Sequence, residues 1–172
     1  MATDPIIPRK WKLSAHGAQN VFVWGERERS VHTLMKAFIW ALYLPHYAEL
    51  TVEVRIDDPR YKPDVVAIPP PPSIYSAQTA PLFWGEAGMV GKQKIETLVR
   101  RYPETHFAIA KWATNLRPHA AIIETALEDV PRSAPFDLIA IPHDSKERFI
   151  SPRGEINVSL DDLDVVRFAP DN

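Results

Sequence analysis

The sequence predicts a mixed α/β sandwich in which one sheet is flanked by helices, and three patterns lead to that expectation. Val31, Leu34, Met35, Phe38, Ile39 and Leu42 fall at i, i+3, i+4, i+7, i+8 and i+11, one continuous helical face. Residues 106–112 (HFAIAKW) and 136–141 (FDLIAI) are short apolar runs, the pattern of strands covered on both faces. Strand and helix patterns alternate from residue 81 to residue 141, which implies parallel strands joined by right-handed crossovers.

In chain order, residues 19–24 (QNVFVW) read as a strand, followed by a charged run, 25–30 (GERERS). Ser30 suits the N-cap of the first helix, and Pro45 stops that helix soon after Leu44. Residues 50–56 (LTVEVRI) alternate apolar with polar and read as a half-buried strand, turned at Asp57-Asp58-Pro59 into a second strand at 63–68. These two should form a hairpin. Pro69 to Pro72 then brakes the sheet ladder, because proline has no N–H to donate. A third strand, 81–88 (PLFWGEAG), leads to a helix at 92–102 with Ile95, Leu98 and Val99 on one face. Residues 118–130 read as a further helix between Pro118 and Pro131. In the tail, 148–150 and 156–159 should pair as a hairpin added to the sheet, and 161–166 should form a short helical turn.

Composition limits the function. The 172 residues carry 20 Lys and Arg against 22 Asp and Glu, so the whole surface is not suited to neutralising a polyanion, although a local basic groove is compatible. No apolar run reaches the roughly 18 residues of a membrane span, and Pro5 and Pro8 interrupt the start where a signal peptide needs an apolar stretch. The expectation is a single domain over residues 1–172, cytoplasmic and without a membrane partner. With no cysteine, chemistry must run on carboxylates, His, Lys, Ser or a hard cation. The 17 prolines make for stiff, well-punctuated loops.

Two acidic residues stand out because of where they fall. Asp64 lies near the start of one apolar strand and Glu86 near the end of the next. A carboxylate in a sheet is costly unless compensated, and two that converge raise each other's pKa unless a cation lies between them. One Asp and one Glu, completed by water and a phosphate oxygen, suit Mg²⁺ or Mn²⁺. Lys92 and Lys94 lie on the first turn of the helix that follows, an electropositive start suited to a phosphodiester. The ordinary alternative is that Asp64 caps a turn, Glu86 meets a cation at the sheet edge, and the lysines form a solvated face.

Pro63-Asp64, the third strand carrying Glu86, and the order of helix, three strands, helix and strand resemble the αβββαβ core of the PD-(D/E)xK nuclease superfamily. The segment Trp84-Gly85-Glu86-Ala87-Gly88 is similar to the corresponding stretch of its YaeQ branch, which has that nuclease-like fold and no settled biochemical role. The resemblance covers residues 26–112 in element order. It implies a restriction-endonuclease-like core, with metal ligation by Asp64 and Glu86. It further implies a contribution through a metal-bound water from Glu28 or, secondarily, Glu26 near the first helix. The superfamily lysine two residues after the acid is Gly88 here, so Lys92 or Lys94 would supply the amine from the helix. The activity so implied is Mg²⁺-dependent hydrolysis of a nucleic-acid phosphodiester, with the strand running along Lys36, Lys62, Lys92, Lys94 and Arg100 or Arg101. The alternative is a catalytically silent domain on the same scaffold that binds a partner protein or forms a homodimer.

Other chemistries find less support. The six histidines show no HxH or HExxH spacing, although His32, one turn after Glu28, can face the same groove. Ser73, Ser76 and Ser151 lack a nucleophile-elbow context, and Gly85, Gly88 and Gly91 do not make a dinucleotide fingerprint. The five tryptophans read as core or sheet-covering residues; Trp40, off the main stripe, offers stacking on a base or a partner only as the less favoured alternative. Tyr75, in the proline-rich loop between the two acidic strands, is placed to border the cleft.

Overall fold

Helix α1 (Ser30–Tyr43) is buried along every residue except His32. A helix covered all round needs two partners, and this one lies between a sheet and a hairpin. The hairpin is β1 (Lys10–Ala15) with β2 (Ala18–Val23). Its turn, His16-Gly17, has positive φ at both residues (50° and 78°), as primed two-residue turns require. Phe22 of β2 packs edge-on against Trp40 of α1, with ring centroids 5.7 Å apart. Trp40 is therefore 2% exposed, a core residue as the sequence reading favours, and not open to stacking on a base.

The computed structural model describes residues 3–70 and 80–170. Ser73, Tyr75, Ser76 and the end of the Pro69 to Pro72 run lie outside the described residues. The main sheet has six strands: β3 (Thr51–Val52), β4 (Val65–Ala67), β5 (Phe83–Ala87), β6 (His106–Lys111), β7 (Phe136–Ala140) and β8 (Asp164–Phe168), hydrogen-bonded in that order. The β5–β6 and β6–β7 pairs are parallel and the others antiparallel. Helices α2 (Lys92–Arg101) and α3 (Arg117–Leu127) make the two crossovers, and both pack on the sheet face opposite α1. A short helix α4 (Ser145–Phe149) and a single 3-10 turn (Leu160–Asp162) precede β8. Among the described residues no helix is long and apolar enough to cross a membrane.

The face under α1 is built of small residues, including Gly85, Ala87, Ala108 and Ala110, so the helix can approach closely. A Cβ on Gly85 would lie 2.8 Å from Ile39 Cγ2 and 3.3 Å from Val65 Cβ. The opposite face carries larger side chains, Val66, Trp84, Phe107, Ile109 and Leu138, against Ile95, Leu98 and Val99 of α2 and Ile123 of α3.

Three elements depart from the sequence pattern. The strand expected at 50–56 ends at Val52, because Glu53 takes a left-handed φ of 61° and the chain leaves the sheet. The helical turn expected at 161–166 is confined to the 3-10 turn, closed by a Ser159/Asp162 capping box, and the residues after it form the edge strand β8. The expected tail hairpin shrinks to a single Ile150–Ile156 bridge, and Glu155 bridges to Ser14 of β1, so this segment joins the small hairpin rather than the main sheet.

Asp137 of β7, fully buried, ties the far end of the sheet to the end of α1. Tyr43 Oη donates to its Oδ2 at 2.6 Å, and His106 Nε2 lies 2.7 Å from the same oxygen. Arg167 of β8 closes a fork on both oxygens at 2.7 and 2.9 Å. Burial would raise this carboxyl, but the hydrogen bonds from His106, Arg167 and Tyr43 override it and hold the group well below the usual range.

Removing Asp137 leaves Tyr43 and His106 buried without their acceptor, so Asp137→Ala should lower the urea-unfolding free energy by about 3–5 kcal/mol. Gly85→Ala should cost about 1–3 kcal/mol through overpacking against Ile39. Asp137→Ala within about 0.5 kcal/mol of wild type, near the noise of a neutral surface change, would contradict the structural role.

Candidate active site

The ladder that pairs Val65 with Gly85 brings Asp64 alongside Glu86, and the Asp64 amide donates to the Gly85 carbonyl at 3.1 Å. Asp64 Oδ2 accepts the Ala87 N–H at 2.8 Å and lies 3.4 Å from His32 Nε2. Glu86, 7% exposed, accepts the Trp84 indole N–H at 2.8 Å on Oε1 and meets Lys94 Nζ at 2.7 Å on the same oxygen. Lys94 comes from the first turn of α2, and its ammonium lies 5.3 Å from the Tyr61 ring centroid. Among the described residues, no hydrogen bond or ion pair occupies Asp64 Oδ1 or Glu86 Oε2.

The two acids are driven apart in protonation. Burial would raise Asp64, but hydrogen bonds from His32 and the Ala87 amide outweigh it and hold the group below the usual range. Burial and then the neighbouring Asp64 charge push Glu86 up to about 7, with Lys94 and Trp84 offsetting part of the rise. Neighbouring carboxyls separated in this way are a recurrent feature of catalytic sites.

Asp64 also closes an open cleft of about 580 Å³, whose lining includes Arg27, Glu28, Arg29, His32, Glu53 and Asp64. A chain of alternating charges runs through it. His32 Nδ1 lies 2.5 Å from Glu28 Oε1, Lys36 Nζ lies 2.5 Å from the same oxygen and 2.6 Å from Glu53 Oε1, and Lys62 closes on Glu53 Oε2 at 2.7 Å. The hydrogen bond to Asp64 raises the His32 pKa, against burial and with help from Glu28. His32 is thus the one residue of α1 that reaches from the buried helix toward the acid pair.

Of the residues singled out in the sequence, Asp64, Glu86 and Lys94 come together, and Glu28 joins them through His32. Lys92 does not: it is half-exposed and faces Glu96 at 3.6 Å on the outer side of α2. The basic path expected for nucleic acid is also altered. Lys36 is 3% exposed and enclosed by two glutamates, so it cannot face a phosphate, while Lys62 and Arg101 are engaged by Glu53 and Asp58. Glu53 escaped the sequence reading because it sits in what read as a regular strand. The stripe Glu28, His32, Lys36, four residues apart beside an apolar helix face, was its available signal.

Gly88 stands two residues after Glu86, where the sequence resemblance would place a lysine. Its φ is +85°, and a Cβ there would lie 3.6 Å from His32 Cδ2, so a lysine would sit in strained backbone against the histidine. Among the described residues, no group of three or more His, Asp or Glu is placed to hold a metal. The donor set still fits a hard cation held by one oxygen from each acid and otherwise by water.

No protein-family model matches the chain, and no curated protein matches it. Among solved structures it is similar to the YaeQ protein from Pseudomonas syringae, at a TM-score of 0.55 and 16% identity over 87% of this chain and 80% of that one. It is also similar to the YaeQ protein from Xanthomonas axonopodis pv. citri, at a TM-score of 0.52 and 13% identity over 86% and 81% of the two chains. The likeness is one of fold: the chain has a YaeQ-like fold.

The raised Glu86 pKa sets a pH dependence. The folded protein retains a proton that the unfolded chain releases above 4.5, so this contribution is full below that pH and is lost as pH rises toward 7. In a chelating buffer, the difference in urea-unfolding free energy between wild type and Glu86→Gln should change across this window and be flat below it. A difference independent of pH would contradict the assignment.

Proposed function

We propose that the Asp64, Glu86 and Lys94 pocket is the centre of a metal-dependent phosphodiesterase acting on nucleic acid, of PD-(D/E)xK-like type with its lysine carried on α2. The observation that carries this reading is Asp64, one residue before β4, set beside Glu86 of β5 closely enough for its charge to raise the Glu86 pKa, with the Lys94 ammonium 2.7 Å from Glu86. The order α1, β3, β4, β5, α2, β6 supports it, being the αβββαβ order of the restriction-endonuclease-like core that the sequence resembles.

Asp64 Oδ1 and Glu86 Oε2 would hold Mg²⁺ or Mn²⁺. When bound, such an ion supplies Lewis-acid activation of water and phosphate. The chain supplies the rest. The Ala87 amide fixes one oxygen of Asp64, leaving the other directed by the backbone rather than by a mobile side chain. Lys94 balances negative charge that develops on the phosphoryl oxygens, from a position already set by Glu86 and the Tyr61 ring. Glu28 does not reach the acid pair directly and acts by orienting His32 against Asp64.

A second reading is a catalytically silent domain that binds a partner or a second copy of itself. Its support is the closed Lys94–Glu86 pair together with the lack of three converging donors among the described residues.

Nicking of supercoiled plasmid and cleavage of labelled RNA with Mg²⁺ or Mn²⁺ separate the two. Asp64→Asn and Glu86→Gln should each lower the rate on the order of 10²–10³-fold and Lys94→Met comparably, as for loss of an electrostatic stabiliser. Lys92→Met should leave it unchanged. No cleavage by wild type, or equal rates in all variants, would favour the silent domain.

A further inference from the structure

The wall of the cleft holds an arginine whose hydrogen-bonding fork is already filled. Arg29, immediately before α1, donates from Nε to Asp4 Oδ2 at 2.9 Å and from Nη2 to Asp4 Oδ1 at 2.5 Å. Asp4 is held in place because Ser30 Oγ donates to the Pro5 carbonyl at 2.7 Å and Ile7 is buried. The pair itself is exposed, 71% at the Arg29 side chain and 33% at Asp4.

This two-point fork is the geometry in which a guanidinium takes a phosphate, and a lysine in its place would offer only a point charge. An exposed pair of this kind is weakly held, so another oxyanion can exchange for the carboxylate without disturbing the fold. Among the described residues Arg27, exposed on the same wall, carries no such two-point partner, so the competition is particular to Arg29. His32 lies between two carboxylates, and Lys36 is enclosed.

We propose that Arg29 is a phosphate-anchoring residue of the cleft and that Asp4 occupies its fork as a built-in competitor. The anchored N-terminal segment thereby lowers the affinity of the cleft for a phosphate group until that group displaces the carboxylate. The inference deepens the phosphodiesterase reading and rests on it for the identity of the substrate as nucleic acid. The exchange at Arg29 itself is a matter of anion chemistry alone.

Two probes in a chelating buffer keep these apart. Inorganic phosphate is titrated while the Nε–Hε resonance of Arg29 is followed by NMR, and a fluorescein-labelled single-stranded oligonucleotide is titrated by anisotropy. Wild type is compared with Asp4→Ala, Arg29→Gln and the double variant, all changes at exposed or half-exposed side chains. Asp4→Ala should bring the Arg29 resonance shift to about fivefold lower phosphate and tighten the oligonucleotide by a similar factor, the scale of a surface ion pair. The gain in oligonucleotide affinity should vanish when Arg29→Gln is added. An equal phosphate response in wild type and Asp4→Ala, or a gain that persists without Arg29, would overturn the proposal. If phosphate behaves as expected and no variant binds the oligonucleotide, the anion site at Arg29 stands and the nucleic-acid reading fails.

Discussion

Two carboxyl groups side by side at the edge of a dry sheet cannot both be ionised without compensation, and the surroundings of this pair answer that constraint. At the distance of strand neighbours, like charges in a medium poorer than water repel by several kcal/mol. Asp64 keeps its charge because the Ala87 amide and His32 face it, and Glu86 is left to hold its proton or lean on Lys94. Helix α1 is otherwise sealed, and its single half-exposed residue is the histidine that meets Asp64. Helix α2 begins where Lys94 can reach Glu86. The two helices on opposite faces of the sheet thus each bring one nitrogen group to the same pair, His32 from α1 and Lys94 from α2.

A comparison within the molecule shows why this pair reads as a site and not as a structural knot. Asp137, on β7 beside the edge strand β8, is also buried and charged, yet both its oxygens are filled by Tyr43, His106 and Arg167. Such saturation fixes elements in place and leaves nothing for a ligand. Asp64 and Glu86 each retain one oxygen without a partner among the described residues, and one of them opens on a cleft. Desolvated acids with spare oxygens cost stability, and a protein keeps them where a bound cation or a proton offsets the cost.

Much of this was legible in the chain itself. The apolar spacing from Val31 to Leu42 marked α1, and the alternation from 81 to 141 marked the parallel β5–β6–β7 crossovers, because both follow from periodicity that local physics imposes. Asp64 and Glu86 could be singled out since charged residues at the ends of apolar strands are unusual, whereas Lys92 and Lys94 stood alike and only the structure chooses Lys94. What escaped depended on distant partners. Strand β1 has the polar-apolar alternation of a strand but turns on His16-Gly17, a weak hairpin signal, and β8 hides behind acidic residues that suit a helical turn. Trp40, off the main helical stripe, is core as its size suggests, but its cover, Phe22, comes from another element. Lys36 looked like a surface cation and is enclosed by Glu28 and by Glu53, the latter from a segment that leaves the sheet at a positive φ.

The centre of the account is that Asp64 and Glu86 act as one cation-holding unit. A crystal soaked in Mn²⁺ and measured for anomalous scattering tests it most directly. A single strong peak is expected within bonding distance of Asp64 Oδ1 and Glu86 Oε2, with water completing the shell. No peak there, with Glu86 still closed on Lys94 at saturating Mn²⁺, would contradict it.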